Sequence, residues 1–407
     1  MDIEELKNKK IIFATYSTKK DNVRMAEGPA LHLLNFFVDK CSEFALLEQP
    51  YFLYADDLTP TIEIYKRGKL EKKYKFAKIF NFLFFTSKKR KKRGGTSLRS
   101  KIRDFLSIFY YFVREKRKYD LFIGMESINT LAGIFLKKIG MVNKVAYYLF
   151  DFTPERYKNK FLNFFYLWLD KFCCYHSDYI WNISAGYENA RRDVLKYDLS
   201  KMAQQITLNY GVDNILLLPE EKLHSNQLIF TGSIGAENGV GLLVEMMSLV
   251  LKNIPDCRLI IMGAGPEEGE LKKKIISMDL QSSINFLGFV PDRKQIEKIQ
   301  SESCIALAPY PDLKDSTKKY GDVMKIREYF ARGLPVVTTS IPPISKVIRE
   351  MPAGLVAEYN KESFSEAIVK LLRDKELYRK CRANAHLLAQ ENTWQNNISE
   401  AINKMEF

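Results

Sequence analysis

Residues 227–266, QLIFTGSIGAENGVGLLVEMMSLVLKNIPDCRLIIMGAGP, decide the fold. The stretch opens with a short apolar run that stops at Gly232. A loop follows, then a helical pattern, GLLVEMMSLVLKNI. CRLIIMGAGP (257–266) repeats the plan, with a strand, a glycine-rich turn and a helical EEGELKKKIISM. Neither apolar run alternates with polar residues, so both faces of each strand are expected to be buried. Short buried strands separated by helices mean a parallel sheet covered on both sides.

Outward from there, the rhythm continues. Strands are expected at INFLGFV (284–290), CIALAPY (304–310), LPVVTT (334–339) and AGLVAE (353–358), with helices over 292–301, 322–332, 344–350 and 361–373. The first half is less regular but points the same way. KKIIFATYS, YDLFIGMES (119–127), KVAYYLFDF (144–152) and DYIWNIS (178–184) read as buried strands. ALHLLNFFV, TLAGIFLKKIG and AGYENARRDVL read as helices among them. Asn209 to Ser225 has the Gly, Pro and polar content of a connection between two halves. The expectation is an α/β chain of two doubly wound, Rossmann-like domains facing a central cleft, where strand C-termini gather ligands. The domains are expected at 1–208 and 209–390, with 391–407 as a terminal helix returning to the first.

Composition narrows the function classes. Of the 407 residues, 46% are apolar and 28% charged, which excludes disordered and fibrous chains. The net charge of +14 is concentrated: Lys66 to Lys118 holds 20 basic residues against three acids, so the rest is slightly acidic. Six cysteines, without a CxxC pair, and four histidines offer no metal-ligand spacing, and reduced, buried thiols are expected. The N-terminus lacks the order of a signal peptide, and no window reaches the roughly 18 to 20 apolar residues of a membrane span. A cytosolic chain is expected.

GDVMKIREYFARGLPVVTT (321–339) carries the chemistry. Lys325 and Glu328 are three apart, so a helix puts them on one face. A lysine near a helix N-terminus suits a diphosphate, and a carboxylate one turn on can accept from two ribose hydroxyls. The plain alternative is an i,i+3 surface ion pair. The segment resembles the signature of family 4-like (group 1) glycosyltransferases with the GT-B fold. TGS (231–233), MGAGPEEGEL (262–271), INFLGFV and Thr393-Trp394 also fall where that family places its loops and closing helix. The resemblance is good over about 230–395 and looser before it, through DFTPERY and DYIWNIS, where it points to a polysaccharide-assembly branch. It implies donor binding by Gly232, Ser233, Gly263, Lys325 and Glu328.

It further implies transfer from a nucleoside-diphosphate sugar to a hydroxyl of a glycan carried on polyprenyl diphosphate. No metal or other cofactor is expected, and the exposed-looking Asp56-Asp57 pair does not alter that. Three positions depart from the pattern. Tyr320 stands where many members have Glu, Ser233 where they have Arg, and Asn238 where they have Lys. Lys325 is the replacement cation, with Arg327, Lys318 and Lys319 as helpers. The departures also leave room for a catalytically inactive binding or scaffold protein. On the acceptor side, Asp151 follows the strand KVAYYLF and could take a proton from the acceptor hydroxyl, the plain alternative being an N-cap or a loop carboxylate near Arg156. Glu126 is the second candidate. The loop from Thr15 to Gly28 should approach the same place.

The basic segment has its own reading. FAKIFNFLFFTSKKRKKRGG places Phe82, Phe84 and Phe85 directly before Lys88, Lys89, Arg90, Lys91, Lys92 and Arg93. Aromatics beside cations suit an anionic membrane surface. Single-stranded nucleic acid could use the same groups but is the weaker partner. A solvated loop beside core aromatics is the plain alternative. The expected protein is cytoplasmic and peripheral on the inner face of the cell membrane.

Overall fold

The computed structural model describes residues 3–17, 19–20, 23–24, 29–50, 59–76, 98–314 and 316–406. Gly28, Asp56, Asp57 and the run from Phe82 to Arg93 lie outside them. The chain divides into two compact units, one built from Met1–Ile183, Tyr187–Leu208 and Asn397–Phe407, the other from Ser184–Gly186 and Asn209–Asn396.

In the N-terminal unit, the strands of the main sheet are β1 (Lys10–Ser17), β2 (Glu43–Pro50), β3 (Thr61–Lys66), β4 (Lys69–Lys75), β5 (Tyr119–Met125), β6 (Val142–Leu149), β7 (Tyr179–Asn182) and β8 (Gln204–Thr207). They lie in the order β8-β7-β6-β5-β1-β2-β3-β4. All pairs from β8 to β2 are parallel, and β2-β3 and β3-β4 are antiparallel. The main helices are α1 (Pro29–Val38), α2 (Leu98–Glu115), α3 (Glu126–Lys138) and α4 (Lys160–His176). Ile11 to Ala14 and Val145 to Leu149 are fully buried, as double coverage of a parallel sheet demands.

Two features here are absent from the sequence reading. The hairpin β3-β4 extends the sheet by antiparallel pairing, turning at Arg67 and Gly68, both with positive φ. Its outer strand, KLEKKYK, is almost entirely exposed. Lysines on an edge strand oppose pairing with another chain, so part of the basic excess protects an edge. More of it is consumed internally: Lys72 pairs with Glu115, Arg117 with Glu43, and Arg103 with Asp104. The second feature is α4, an aromatic-rich helix after the DFTPERY loop.

The C-terminal unit contains β9 (Gln227–Thr231), β10 (Arg258–Met262), β11 (Ile284–Gly288), β12 (Ile305–Ala308), β13 (Val336–Thr338) and β14 (Gly354–Val356). They form one parallel sheet in the order β11-β10-β9-β12-β13-β14. Leu228 and Phe230 enter the core on one side of the sheet, and Ile229 enters the core on the other. The helices are α5 (Val240–Asn253), α6 (Glu268–Ser277), α7 (Arg293–Glu302), α8 (Met324–Phe330), α9 (Ile344–Glu350), α10 (Lys361–Arg373) and α11 (Lys375–Glu391); α12 (Trp394–Asn403) starts in this unit and from Asn397 belongs to the N-terminal one. After α12 the Glu406 N–H donates to Tyr179 Oη at 2.8 Å, within the N-terminal unit. All six cysteines are buried and none is bonded to another. Among the described residues no helix is long and apolar enough to cross a membrane.

One buried ion pair ties several N-terminal elements together. Asp170 of α4 accepts two hydrogen bonds from Arg191, at 2.7 and 3.1 Å, and one from Tyr147 of β6 at 3.0 Å. Arg191 also donates to Asn182 of β7 at 2.8 Å. Both charged side chains are wholly out of solvent. Removing one partner strands the other charge, so Arg191→Met is expected to cost about 3–5 kcal/mol. The double variant Asp170→Leu/Arg191→Met should recover most of that loss. Urea unfolding of the two variants checks both expectations; equal losses would mean that the pair is not the source.

Candidate functional site

The strand order of the C-terminal sheet reverses direction between β9 and β12, so the loops after these strands diverge and leave a crevice. The loop after β9 begins at Gly232, whose φ of 140° suits only glycine. A Cβ on Gly232 would stand 2.6 Å from Lys325 Nζ. The Lys325 ammonium therefore lies directly against this loop, reached from the first turn of α8. It donates to Asn238 Oδ1 at 3.2 Å and sits over the Phe230 ring at 4.3 Å and the Tyr310 ring at 5.5 Å. Burial, reinforced by nearby Lys318, lowers its pKa to about 7.

Gly263 plays a different part. A Cβ there would meet the Gly232 carbonyl at 1.8 Å. The Gly232 N–H donates to Met262 O at 2.9 Å, so the loops after β9 and β10 run backbone to backbone. Gly263 thereby sets the path of the loop that covers Lys325. Ser233 is exposed, and its carbonyl accepts from Asn238 Nδ2 at 3.0 Å.

Glu328 lies one turn beyond Lys325 but does not pair with it. Its carboxylate is 3.4 Å from Arg293 Nη2, and burial raises its pKa despite that cation. The surface ion pair between Lys325 and Glu328 does not exist; the two side chains face different partners. Of the suggested helper cations, Arg327 is buried and held by Asp322 and Asn392, and Lys319 is paired with Asp312. Lys318 is the one that acts electrostatically on Lys325. In the sequence Asn238 stands out only as the residue in place of a lysine. In the structure it links Lys325 to the Ser233 carbonyl, a role that spacing cannot reveal.

The N-terminal sheet has its own reversal, between β1 and β5. Glu126 stands immediately after β5, as the first residue of α3 rather than the end of the strand, with φ of 64°. A non-glycine residue in that region is strained, and strain of this kind clusters at working sites. Burial pushes the Glu126 carboxyl up to about 7 against the pull of Arg156, and Asp151 adds to the rise. Asp151 follows β6, is about half exposed, and is 3.1 Å from Arg156, which also donates to the Asp151 carbonyl at 2.8 Å. Lys101, from the basic segment, donates to Tyr16 Oη at 3.1 Å at the end of β1, and its pKa is lowered by burial. The two proposed carboxylates thus share one electrostatic cluster with Arg156 and Lys101. Of these two cations only Lys101 is unanticipated: Arg156, in the DFTPERY motif, is the neighbour expected of Asp151 as an ordinary loop carboxylate. Among the described residues, no group of three or more His, Cys, Asp or Glu is placed to hold a metal.

With this geometry in hand, comparison with known proteins is direct. The family described as "Glycosyl transferases group 1" matches residues 219–387, which fall wholly within the C-terminal unit. Over that span the chain is similar to the group-1 glycosyltransferases. An uncharacterized glycosyltransferase of Haemophilus influenzae is 24% identical over 180 residues, 43% of this chain and 48% of that protein. The alpha-D-kanosaminyltransferase of Streptomyces kanamyceticus is 27% identical over 159 residues, 39% of each chain. The chain therefore spans less than half the length of these curated relatives. Among solved structures, Anabaena Alr3699/HepE in complex with UDP aligns with a TM-score of 0.65 at 15% identity, covering 97% of this chain and 100% of that one. Sucrose-phosphate synthase from Thermosynechococcus elongatus gives 0.65 at 13%, covering 97% and 98%. The shared architecture is the two-domain GT-B fold.

The buried Lys325 has a stability signature. Its folded pKa of about 7 lies below the ordinary value of 10.5. Between these the unfolded chain binds the extra proton, so wild-type stability should rise with pH from about 7 to 10. Lys325→Met is expected to raise the unfolding temperature at pH 6 and to flatten that rise. Thermal unfolding across pH 6–10 measures both; an unchanged slope in the variant would remove Lys325 as its origin.

Proposed function

We propose that the protein is a glycosyltransferase that moves a sugar from a nucleoside-diphosphate donor to a hydroxyl of a lipid-linked glycan, at an anionic membrane surface. The observation that carries the reading is the Lys325 ammonium, set against the Gly232 loop at the switch point of the C-terminal sheet. A diphosphate there would take the charge of the Lys325 ammonium. Glu328 would accept from the ribose hydroxyls, exchanging its contact with Arg293 for them. UDP in the Anabaena structure and the group-1 match support a nucleotide donor. The concentration of basic residues before α2 supports the membrane.

The proton of the acceptor hydroxyl goes to Glu126 in this reading. A carboxylate with a pKa near 7 is a better base than an ordinary one and is still ionised in part at neutral pH. Arg156 holds Asp151 and offsets part of its repulsion of Glu126. As the acceptor oxygen bonds to the anomeric carbon, the bond to the leaving diphosphate breaks. Lys325 balances the charge that develops on that diphosphate. A second reading, a binding protein without turnover, rests on Ser233 and Asn238 standing where cations are usual. The bond from Lys325 to Asn238 favours catalysis instead, because it keeps one cation at the loop.

Turnover of a panel of nucleotide sugars with a lipid-linked acceptor, alongside nucleoside-diphosphate binding by calorimetry, separates the readings. Lys325→Met should weaken diphosphate binding roughly 10- to 100-fold. Glu126→Gln should leave binding intact and lower kcat by about 10²–10⁴. Activity requires an ionised Glu126 and a protonated Lys325, both near 7. The profile of kcat/KM should therefore be a narrow bell centred near pH 7. Binding without turnover for every donor would establish the second reading, and no diphosphate binding at all would defeat the first.

A further inference from the structure

We propose that the outward face of α4 is a docking surface for an anionic lipid bilayer. α4 has two unlike sides. Leu169, Asp170, Cys173 and Cys174 point into the unit and are buried. Phe161, Phe164, Phe165 and Trp168 follow the i, i+3, i+4, i+7 spacing of a single stripe and point out. Phe161 is 76% exposed, Phe164 67% and Trp168 49%. A helix on a soluble surface ordinarily turns charged and polar residues outward. Here the order is inverted, and contiguous exposed apolar area of this kind marks an interaction site.

The stripe is organised rather than incidental. Phe165 stacks on Trp168 at 5.8 Å, and Trp168 on Phe172 at 5.8 Å. The charges around it select the occupant. Lys158, Lys160 and Lys171 are exposed about the stripe, and α4's single acid, Asp170, is buried and neutralised by Arg191. Aromatic rings flanked by lysines match the interfacial layer and the negative surface of an anionic bilayer. The helix is also anchored at the right place. Asn163 donates to Pro154 O at 2.8 Å and accepts from the Tyr157 N–H at 3.0 Å. Its first turn is thereby fixed to the loop that carries Asp151 and Arg156. A bilayer on the stripe would present lipid head groups beside that loop. That last link rests on the proposed function; contact with the bilayer does not.

The chain supplies its own probe. It has three tryptophans, of which Trp181 and Trp394 are buried, so Trp168 reports on the stripe. With full-length protein and vesicles of 30% anionic lipid, Trp168 emission should shift to the blue and be quenched by brominated lipid. Trp168→Phe should remove that signal while vesicle binding persists. Phe161→Ser/Phe164→Ser should weaken vesicle binding at least tenfold. Its unfolding temperature and its transfer to a soluble acceptor should be unchanged, since both side chains are exposed. Vesicle binding with unquenched Trp168 and an unaffected double variant would overturn the docking surface. If neutralising Lys88–Arg93 then abolished binding, the membrane reading would survive through that segment. No binding to any vesicle would overturn the surface and the membrane part of the proposed function together, leaving the donor reading to its own assays. Concentration-dependent self-association lost in the double variant, without vesicle binding, would assign the stripe to a second copy and overturn the proposal.

Discussion

Parallel pairing is the constraint on which the rest depends. A parallel strand must be re-entered from the same end, so every connection crosses a face of the sheet and buries it. This is why Ile11 to Ala14 and Leu228 to Phe230 are apolar without interruption. It is also why every strand from β8 to β2, and every strand of the second sheet, ends at the same edge of its own sheet. Where the winding changes direction, between β1 and β5 and between β9 and β12, the loops part instead of packing. Gly232 begins such a loop, and Glu126 stands at the same edge of its own sheet, opening α3 directly after β5. The positions of the chemical groups follow from the pairing before any side chain is considered.

Burial then sets their reactivity. Lys325 and Glu126 are drawn in opposite directions from their ordinary values, yet both arrive near 7, because removal from water disfavours the charged form of each. Lys325 retains aromatic faces and the Asn238 oxygen as partners, and Glu126 retains Arg156. In the proposed function each would gain from an arriving charge, a diphosphate at one and a proton at the other. The fully satisfied Asp170–Arg191 pair is the contrast. It is more completely removed from solvent and has no spare capacity, as befits a tie between β6, β7 and α4.

The charge asymmetry also separates into distinct physical tasks. Lysines on β4 guard a sheet edge, Arg103, Arg117 and Lys72 close internal pairs, and Lys101 enters the buried cluster beside Tyr16. A count over the segment Lys66 to Lys118 merges all of these. Only pairing and burial distinguish a lysine that repels another strand from one that contributes to a site.

Much was legible in the chain alone. The apolar runs, the glycine turns and the helical spacing determined a doubly wound α/β architecture, because burial on both faces leaves a mark on every residue of a strand. The segment around Lys325 and Glu328 was legible because a helix, a glycine and a returning strand must occur in that order. The partners were not. Lys325 binds Asn238, 87 positions away, and Glu328 faces Arg293 instead of its helical neighbour. Glu126 meets Arg156 and Lys101 from separate elements. The aromatic helix α4 has no counterpart in the sequence reading; its buried Asp170 shows which side faces inward. Local spacing determines secondary structure and faces; which side chains share a site, and at what pKa, is decided by contacts between residues far apart in the chain.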